Sequence, residues 1–226
     1  MALHIRVLAA EDDPAARALL EGLLPRLEGI ELCGVAGDGY EALELVRRER
    51  PDAVLLDLVM PGLDGLGFLR LLRGEKPRPA VVVTSQVSDP RVVRHALALG
   101  ADYYLVKPLR FDGLPALLQA LCLAPLERAG EEYLRQLGAA GLGVEAAART
   151  AAVLAQGPDI PLKEGYAAAM AAQDTSYACV EKNIRSMVDK LHAAGGAGYH
   201  ALMGGPPPRR PGNEAFLRAL AKRLKE

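Results

Sequence analysis

The sequence predicts an α/β domain with a five-stranded parallel sheet, followed by an all-α domain, in a chain of 226 residues. Three observations carry this. Short apolar runs alternate with helix-period segments five times in the first part of the chain, no strand-like run occurs after about residue 128, and the charge balance changes sign between the parts. Residues 1–126 hold 14 basic and 17 acidic side chains, a net −3, whereas residues 127–226 hold 13 and 11, a net +2. Five β-α repeats read as a parallel sheet covered on both faces.

The elements follow in order. A strand is expected near 4–10 and a helix near 14–25, with Pro14 at the first helical position, where its missing N–H costs nothing. Strand 30–36 leads to helix 39–49, for which Asp38 is the cap. Strand 53–57 leads to helix 64–73, ended by Gly74, and strand 80–84 leads to helix 90–99, capped by Asp89 and ended by Gly100. Strand 102–106 and helix 111–122 complete a first domain spanning 1–123. Ala124-Pro125-Leu126 and Gly130 bracket a linker over 124–130, and 131–226 form the helical domain, with loops at 195–198 and 204–212.

Composition narrows the function. Half of the residues are hydrophobic, which excludes a disordered chain. Cys33, Cys122 and Cys179 are odd in number and far apart, so no disulfide framework or zinc knuckle is readable and a reducing compartment is expected. The first residues lack a basic signal region, and no run of about eighteen apolar residues occurs, so the chain is expected to be soluble, cytoplasmic and free of any membrane partner. A net charge of −1 speaks against a uniformly basic nucleic-acid binder, although the two parts differ in sign.

Polar residues interrupt the strands at their carboxyl ends: Glu11-Asp12-Asp13, Asp57, Thr84 and Lys107. In a parallel sheet those ends share one edge, so the residues converge there. Carboxylates about 4 Å apart repel by about 4 kcal/mol at an effective dielectric of about 20, a conflict that a divalent cation removes. Oxygen-only ligands suit Mg2+, and a lysine with a hydroxyl suits an incoming phosphoryl group. The residues thus point to metal-dependent phosphoryl chemistry with Asp57 as the nucleophile. A phosphatase of the haloacid-dehalogenase kind is the rival for these carboxylates. It would need the nucleophile on the first strand and a second aspartate two residues later, where this chain has Val59.

Glu11-Asp12-Asp13, Asp57-Leu58-Val59-Met60-Pro61-Gly62-Leu63-Asp64-Gly65, Thr84-Ser85 and Lys107-Pro108 together resemble the receiver domain of two-component response regulators, over about residues 3–123. The resemblance implies a flavodoxin-like fold and a phosphoacceptor, Asp57, charged from a phosphohistidine donor, either a phosphotransferase or a histidine kinase. It implies that Asp13, Asp57 and the backbone carbonyl of Val59 hold Mg2+, with Asp12 assisting through water and Ca2+ or Mn2+ as substitutes. Thr84 and Lys107 would bind the phosphoryl oxygens, Tyr104 would act as the switch, and Lys107-Pro108 would be cis. The family member is then a phosphoryl acceptor, not an enzyme, apart from slow self-dephosphorylation.

In the second part, Tyr166 and Met170 lie on an Ala-rich helix, Gln173-Asp174-Thr175-Ser176 supplies turn and capping groups, and a helix begins near Ser176. On that helix Val180, Ile184, Met187 and Leu191 form an inward stripe, with Lys182 and Arg185 on the other side. This is the pattern of a helix-turn-helix whose second helix enters a DNA major groove; equally it is that of an ordinary helical hairpin with Glu181 and Arg185 as a surface pair.

Thr175 to Arg185, with Gly141-Leu142-Gly143-Val144 and Pro211 to Leu217, resembles the effector domain of the stage 0 sporulation protein A family of transcription regulators. That resemblance implies a phosphorelay regulator of sporulation genes that binds double-stranded promoter DNA, dimerises on activation and engages RNA polymerase. The residues it assigns to DNA are Lys182, Arg185, Glu181, Ser176 and Cys179; Arg209 and Arg210 are further candidates for phosphates, with a flexible solvated loop as the favoured reading of that pair. Cys179 stands where the family carries arginine, and helix 167–172 lacks the family's lysines. These departures leave a second reading, a receiver-controlled protein-interaction module that no longer reads DNA.

Overall fold

A computed structural model describes residues 5–75 and 77–225; residue 4 and the amino-terminal residues read above lie outside them. The chain divides into two compact units, Met1–Cys122 and Leu123–Glu226.

In the first unit, β1 (Ile5–Ala10), β2 (Ile30–Ala36), β3 (Ala53–Leu56), β4 (Ala80–Ser85) and β5 (Tyr103–Val106) form one parallel sheet in the order β2-β1-β3-β4-β5. Successive side chains point to opposite faces, which divides the apolar runs between two cores. Leu8, Val54, Leu56, Val81 and Val83 pack with Phe68 and Leu69 on one face. Ile5, Val7, Leu55 and Val82 pack with Leu20, Leu114 and Leu118 on the other. Both faces are therefore covered, as continuous Val/Leu/Ala runs require.

The covering helices start where their local chemistry dictates. Asp13, Asp38, Asp64 and Asp89 cap α1 (Pro14–Leu23), α2 (Gly39–Glu49), α3 (Gly65–Leu72) and α4 (Pro90–Ala98), each accepting backbone N–H groups of the first turn. A 3-10 turn over Leu24–Arg26 replaces the expected end of the first helix. The larger departure is α5, which runs through Leu114–Gln136 with Pro125 inside it, so the expected linker at 124–130 is helical. Proline removes one backbone donor, and a long helix that places Leu118 in the first unit's core and Leu134 in the second's tolerates that loss.

Cys122, on α5, is partly buried and donates to the carbonyl oxygen of Asp52 at 3.5 Å. Burial, reinforced by the Asp52 and Asp102 carboxylates, pushes its thiol up to about 12. A folded pKa above the unfolded one gives a stability contribution that is whole below the unfolded value and lost as pH rises towards the folded one. Chemical denaturation is therefore expected to show falling stability between about pH 9 and about pH 12, a fall that Cys122→Ala makes shallower.

The second unit is all helical: α6 (Leu142–Leu154), α7 (Leu162–Gln173), α8 (Tyr177–Ala194), α9 (Ala197–Leu202) and α10 (Asn213–Arg223). The expected loop at 195–198 is shorter than the sequence implies, since Gly195 closes α8 in the left-handed region (φ 57°) and α9 already begins at Ala197. The inward stripe of α8 is as expected: Val180, Ile184, Met187 and Leu191 are buried against Tyr166, Tyr199, Phe216 and Leu220. Small residues let α6 approach its neighbours. A Cβ on Gly143 would lie 2.5 Å from the carbonyl oxygen of Asn183 on α8. Gly143→Ala is expected to cost about 1–3 kcal/mol through overpacking, read as a lower Tm of this unit.

Candidate functional site

The carboxyl ends of β1, β3, β4 and β5 meet where the strand order reverses between β1 and β3, the crevice in which open α/β sheets bind ligands. Glu11 and Asp57 continue β1 and β3 and are buried, and Thr84 and Ser85 end β4 and are buried as well. Lys107 follows β5, and its bond to Pro108 is cis. The Lys107 Nζ donates to Asp57 Oδ2 at 2.5 Å and to Glu11 Oε2 at 2.6 Å. One ammonium thus bridges two carboxylates drawn from two strands.

The electrostatics follow from this crowding. Burial holds the Glu11 carboxyl above its ordinary value despite the lysine beside it. Burial works against the Lys107 ammonium, but its hydrogen bonds to Asp57 and Glu11 outweigh that and hold its pKa above the ordinary value. The remaining Asp57 oxygen, Oδ1, accepts from the Val59 backbone N–H at 3.1 Å, which fixes the carboxylate's orientation. Gly65 permits the loop after β3 to fold tightly, because a Cβ there would lie 2.4 Å from the carbonyl oxygen of Asp57.

Glu11, Asp12 and Asp57 each place one carboxylate oxygen within 4.8 Å of the others. Three hard oxygen donors at that spacing fit a divalent cation such as Mg2+, which favours carboxylates and keeps several waters. The membership of this group corrects the sequence reading. Asp13, expected as a direct ligand, caps α1 instead, with Oδ1 accepting from the Ala16 N–H at 2.7 Å, and Glu11 takes its place in the pocket. The signal was present in Asp13-Pro14, an N-cap residue followed by proline at the first helical position. Arg17 adds a contact that the sequence did not suggest, donating from Nη1 to the carbonyl oxygen of Glu11 at 3.1 Å. The Tyr104 hydroxyl donates to the Val87 carbonyl oxygen at 2.6 Å, linking β5 to the loop after β4, while its ring packs on the adjacent core. Val59 presents an exposed side chain beside the pocket.

In the second unit the turn Asp174-Thr175-Ser176 joins α7 to α8. Asp174 adopts the left-handed region (φ 45°), and Ser176 caps α8 by accepting from the Cys179 N–H. The Ser176 side chain is thus engaged in the cap. Lys182 and Arg185 are exposed on α8, and Arg185 is ion-paired with Glu181 one turn away. Arg210 is not free to meet a phosphate: it is hydrogen-bonded to Asp189, Pro211, Arg185 and Asn213. Among the described residues no helix is long and apolar enough to cross a membrane.

The response regulator receiver domain family matches residues 7–119. A protein-glutamate methylesterase/protein-glutamine glutaminase of Myxococcus xanthus is 47% identical over 105 residues, which are 46% of this chain and 30% of that protein. The DNA-binding response regulator MtrA of Mycolicibacterium smegmatis is 37% identical over 157 residues, 70% of this chain and 65% of that protein. Among solved structures, the signal receiver domain of the response regulator NarL from Mycobacterium tuberculosis superposes with a TM-score of 0.51 at 29% identity, covering 54% of this chain and 98% of that one. The chain thus spans less than two thirds of the length of these curated relatives. The expectation that the chain is no enzyme is corrected by the Myxococcus likeness, since a protein sharing this much sequence carries an enzyme's name. Receiver chemistry is a control input, and it does not determine what the attached part does.

Proposed function

The chain belongs to the response regulator receiver domain family through its first half, and on that premise we propose that it is a phosphorylation-dependent transcription regulator. In this reading Asp57 accepts a phosphoryl group from a phosphohistidine donor in the cytoplasm, and the helical unit binds promoter DNA, with sporulation genes as the target class. The observation that carries the receiver half is the pairing of Lys107 with Asp57 and Glu11 at the switch-point edge of the sheet, with Asp12 completing the carboxylate group.

The chemistry follows from those positions. An Asp57 carboxylate oxygen attacks the phosphorus of the donor in line, the P–N bond breaks as the P–O bond forms, and the imidazole leaves with the bonding electron pair. Mg2+ held by Asp12, Asp57 and the Val59 carbonyl, with Glu11 acting through water, would neutralise charge on the transferring group. Lys107 moves from the Asp57 carboxylate to a phosphoryl oxygen, retaining Glu11 as its anchor. Thr84 supplies a hydroxyl to another, and Tyr104, tied to the loop after β4, passes the change to the surface.

For the helical unit the support is the capped three-residue turn between α7 and α8 and the exposed Lys182 and Arg185, with Glu181 and Cys179 beside them. Homodimerisation on activation would double this short reading surface, and RNA polymerase is the further partner at a promoter. The likeness to a regulator named as DNA-binding favours DNA as the partner. Fluorescence anisotropy with a labelled promoter duplex at two salt concentrations tests it. Specific binding that weakens with salt and is reduced by Lys182→Ala is expected. Equal affinity for a scrambled duplex, unaffected by Lys182→Ala or Arg185→Ala, would favour the protein-interaction module instead.

A further inference from the structure

We propose that Arg210 is a positioning residue that clamps one flank of α8 and so determines which flank is offered to a ligand. The inference rests on the DNA-binding reading of α8. Arg210 lies in the 204–212 loop ahead of α10, where sequence alone favours a flexible solvated side chain over a phosphate contact. Its guanidinium is already occupied. Nε donates to Asp189 Oδ1 at 2.7 Å, Nη1 to the Pro211 carbonyl oxygen at 2.7 Å, and Nη2 to the Arg185 carbonyl oxygen at 3.1 Å and to Asn213 Oδ1 at 3.0 Å. Four of the five N–H donors of an arginine are therefore used, and no pair remains for a bidentate grip on a phosphate.

Asn213 extends the clamp. Its Nδ2 donates to the Glu181 carbonyl oxygen at 3.2 Å and to the Tyr166 hydroxyl at 3.3 Å, tying α7 to the same junction. The points held on α8 are residues 181, 185 and 189, spaced by four and hence one row along the helix. With 3.6 residues per turn, the adjoining outer row is Cys179, Lys182, Ser186 and Lys190. None of these is bonded to the loop, and the last three are exposed. The clamp thus holds the 181–185–189 row through the Glu181 and Arg185 carbonyls and the Asp189 carboxylate, leaving the Arg185 side chain exposed and the Lys182–Ser186–Lys190 row unbonded to the loop. Arginine suits the post because its planar fork reaches a carboxylate and three further oxygens together, which the single ammonium of lysine does not match.

The test is anisotropy of a fluorescein-labelled promoter duplex, with a scrambled duplex as control, for the full chain and for Arg210→Ala, Arg210→Lys and Asp189→Asn. Thermal unfolding of each sets the folded fraction, and Asp189→Asn weakens only the outermost bond should the others fold poorly. A positioning role predicts that Arg210→Ala and Arg210→Lys both lose about tenfold in affinity, the scale of a lost charge-assisted hydrogen bond, with the salt slope unchanged. A phosphate contact predicts the opposite pattern: Arg210→Lys near wild type, and Arg210→Ala with a slope shallower by about 0.9. That pattern, or wild-type affinity in Arg210→Ala, would overturn the inference alone. Failure of the wild-type chain to prefer the promoter duplex would overturn the DNA reading, and this inference with it.

Discussion

Asp57→Asn is expected to abolish phosphoryl incorporation completely, while the folded chain survives. The amide is nearly the same size as the carboxylate, and the Val59 N–H that fixes Oδ1 finds an equivalent acceptor in the amide oxygen. What it lacks is a nucleophilic anion, and Lys107 keeps Glu11 as its remaining partner. Incubation with an acyl phosphate and Mg2+, followed by intact-mass measurement, should add one phosphoryl group to the wild-type chain and none to the variant. An increment retained in Asp57→Asn would move the acceptor elsewhere, Glu11 and Asp12 being the carboxylates grouped with Asp57 in space.

Lys107→Ala is the substitution with the largest expected effect on stability in the first unit. It leaves the Glu11 and Asp57 carboxylates buried and without the ammonium between them. Removing one partner from a buried charge group costs about 3–5 kcal/mol. Such a cost would be visible as a fall in Tm in the presence of a chelator. Because Asp12 completes a group of three oxygens that can take a divalent cation, Mg2+ is expected to restore a large part of the loss. Equal stability with and without Mg2+ would mean that the three carboxylates do not hold the ion together.

Most of the receiver site could be read from the sequence for one physical reason. Strands of a parallel sheet present their carboxyl ends along one edge, so topology alone places Asp57, Thr84 and Lys107 on that edge. The order of the acids after β1 was harder. Glu11, Asp12 and Asp13 are consecutive, and which of them enters the pocket depends on where the strand ends and the helix begins. The cap at Asp13 settles that by turning its carboxylate to the Ala16 N–H. The helical path of the chain across the linker failed to show for a related reason. Pro125 and Gly130 read as breaks, yet α5 passes through both, since one missing donor is a small loss in a long helix with both of its ends packed. On α8 the inward stripe followed from period alone. The engagement of Arg210 did not, because it depends on a loop whose path no periodicity encodes.

Control of the helical unit by phosphorylation of Asp57 is tested by one measurement: promoter-duplex affinity of the full chain by anisotropy, before and after treatment with a phosphodonor, beside Asp57→Asn under the same conditions. Phosphorylation is predicted to raise the affinity of the wild-type chain and to leave that of Asp57→Asn unchanged. An affinity that is the same before and after phosphorylation confirmed by mass would contradict it.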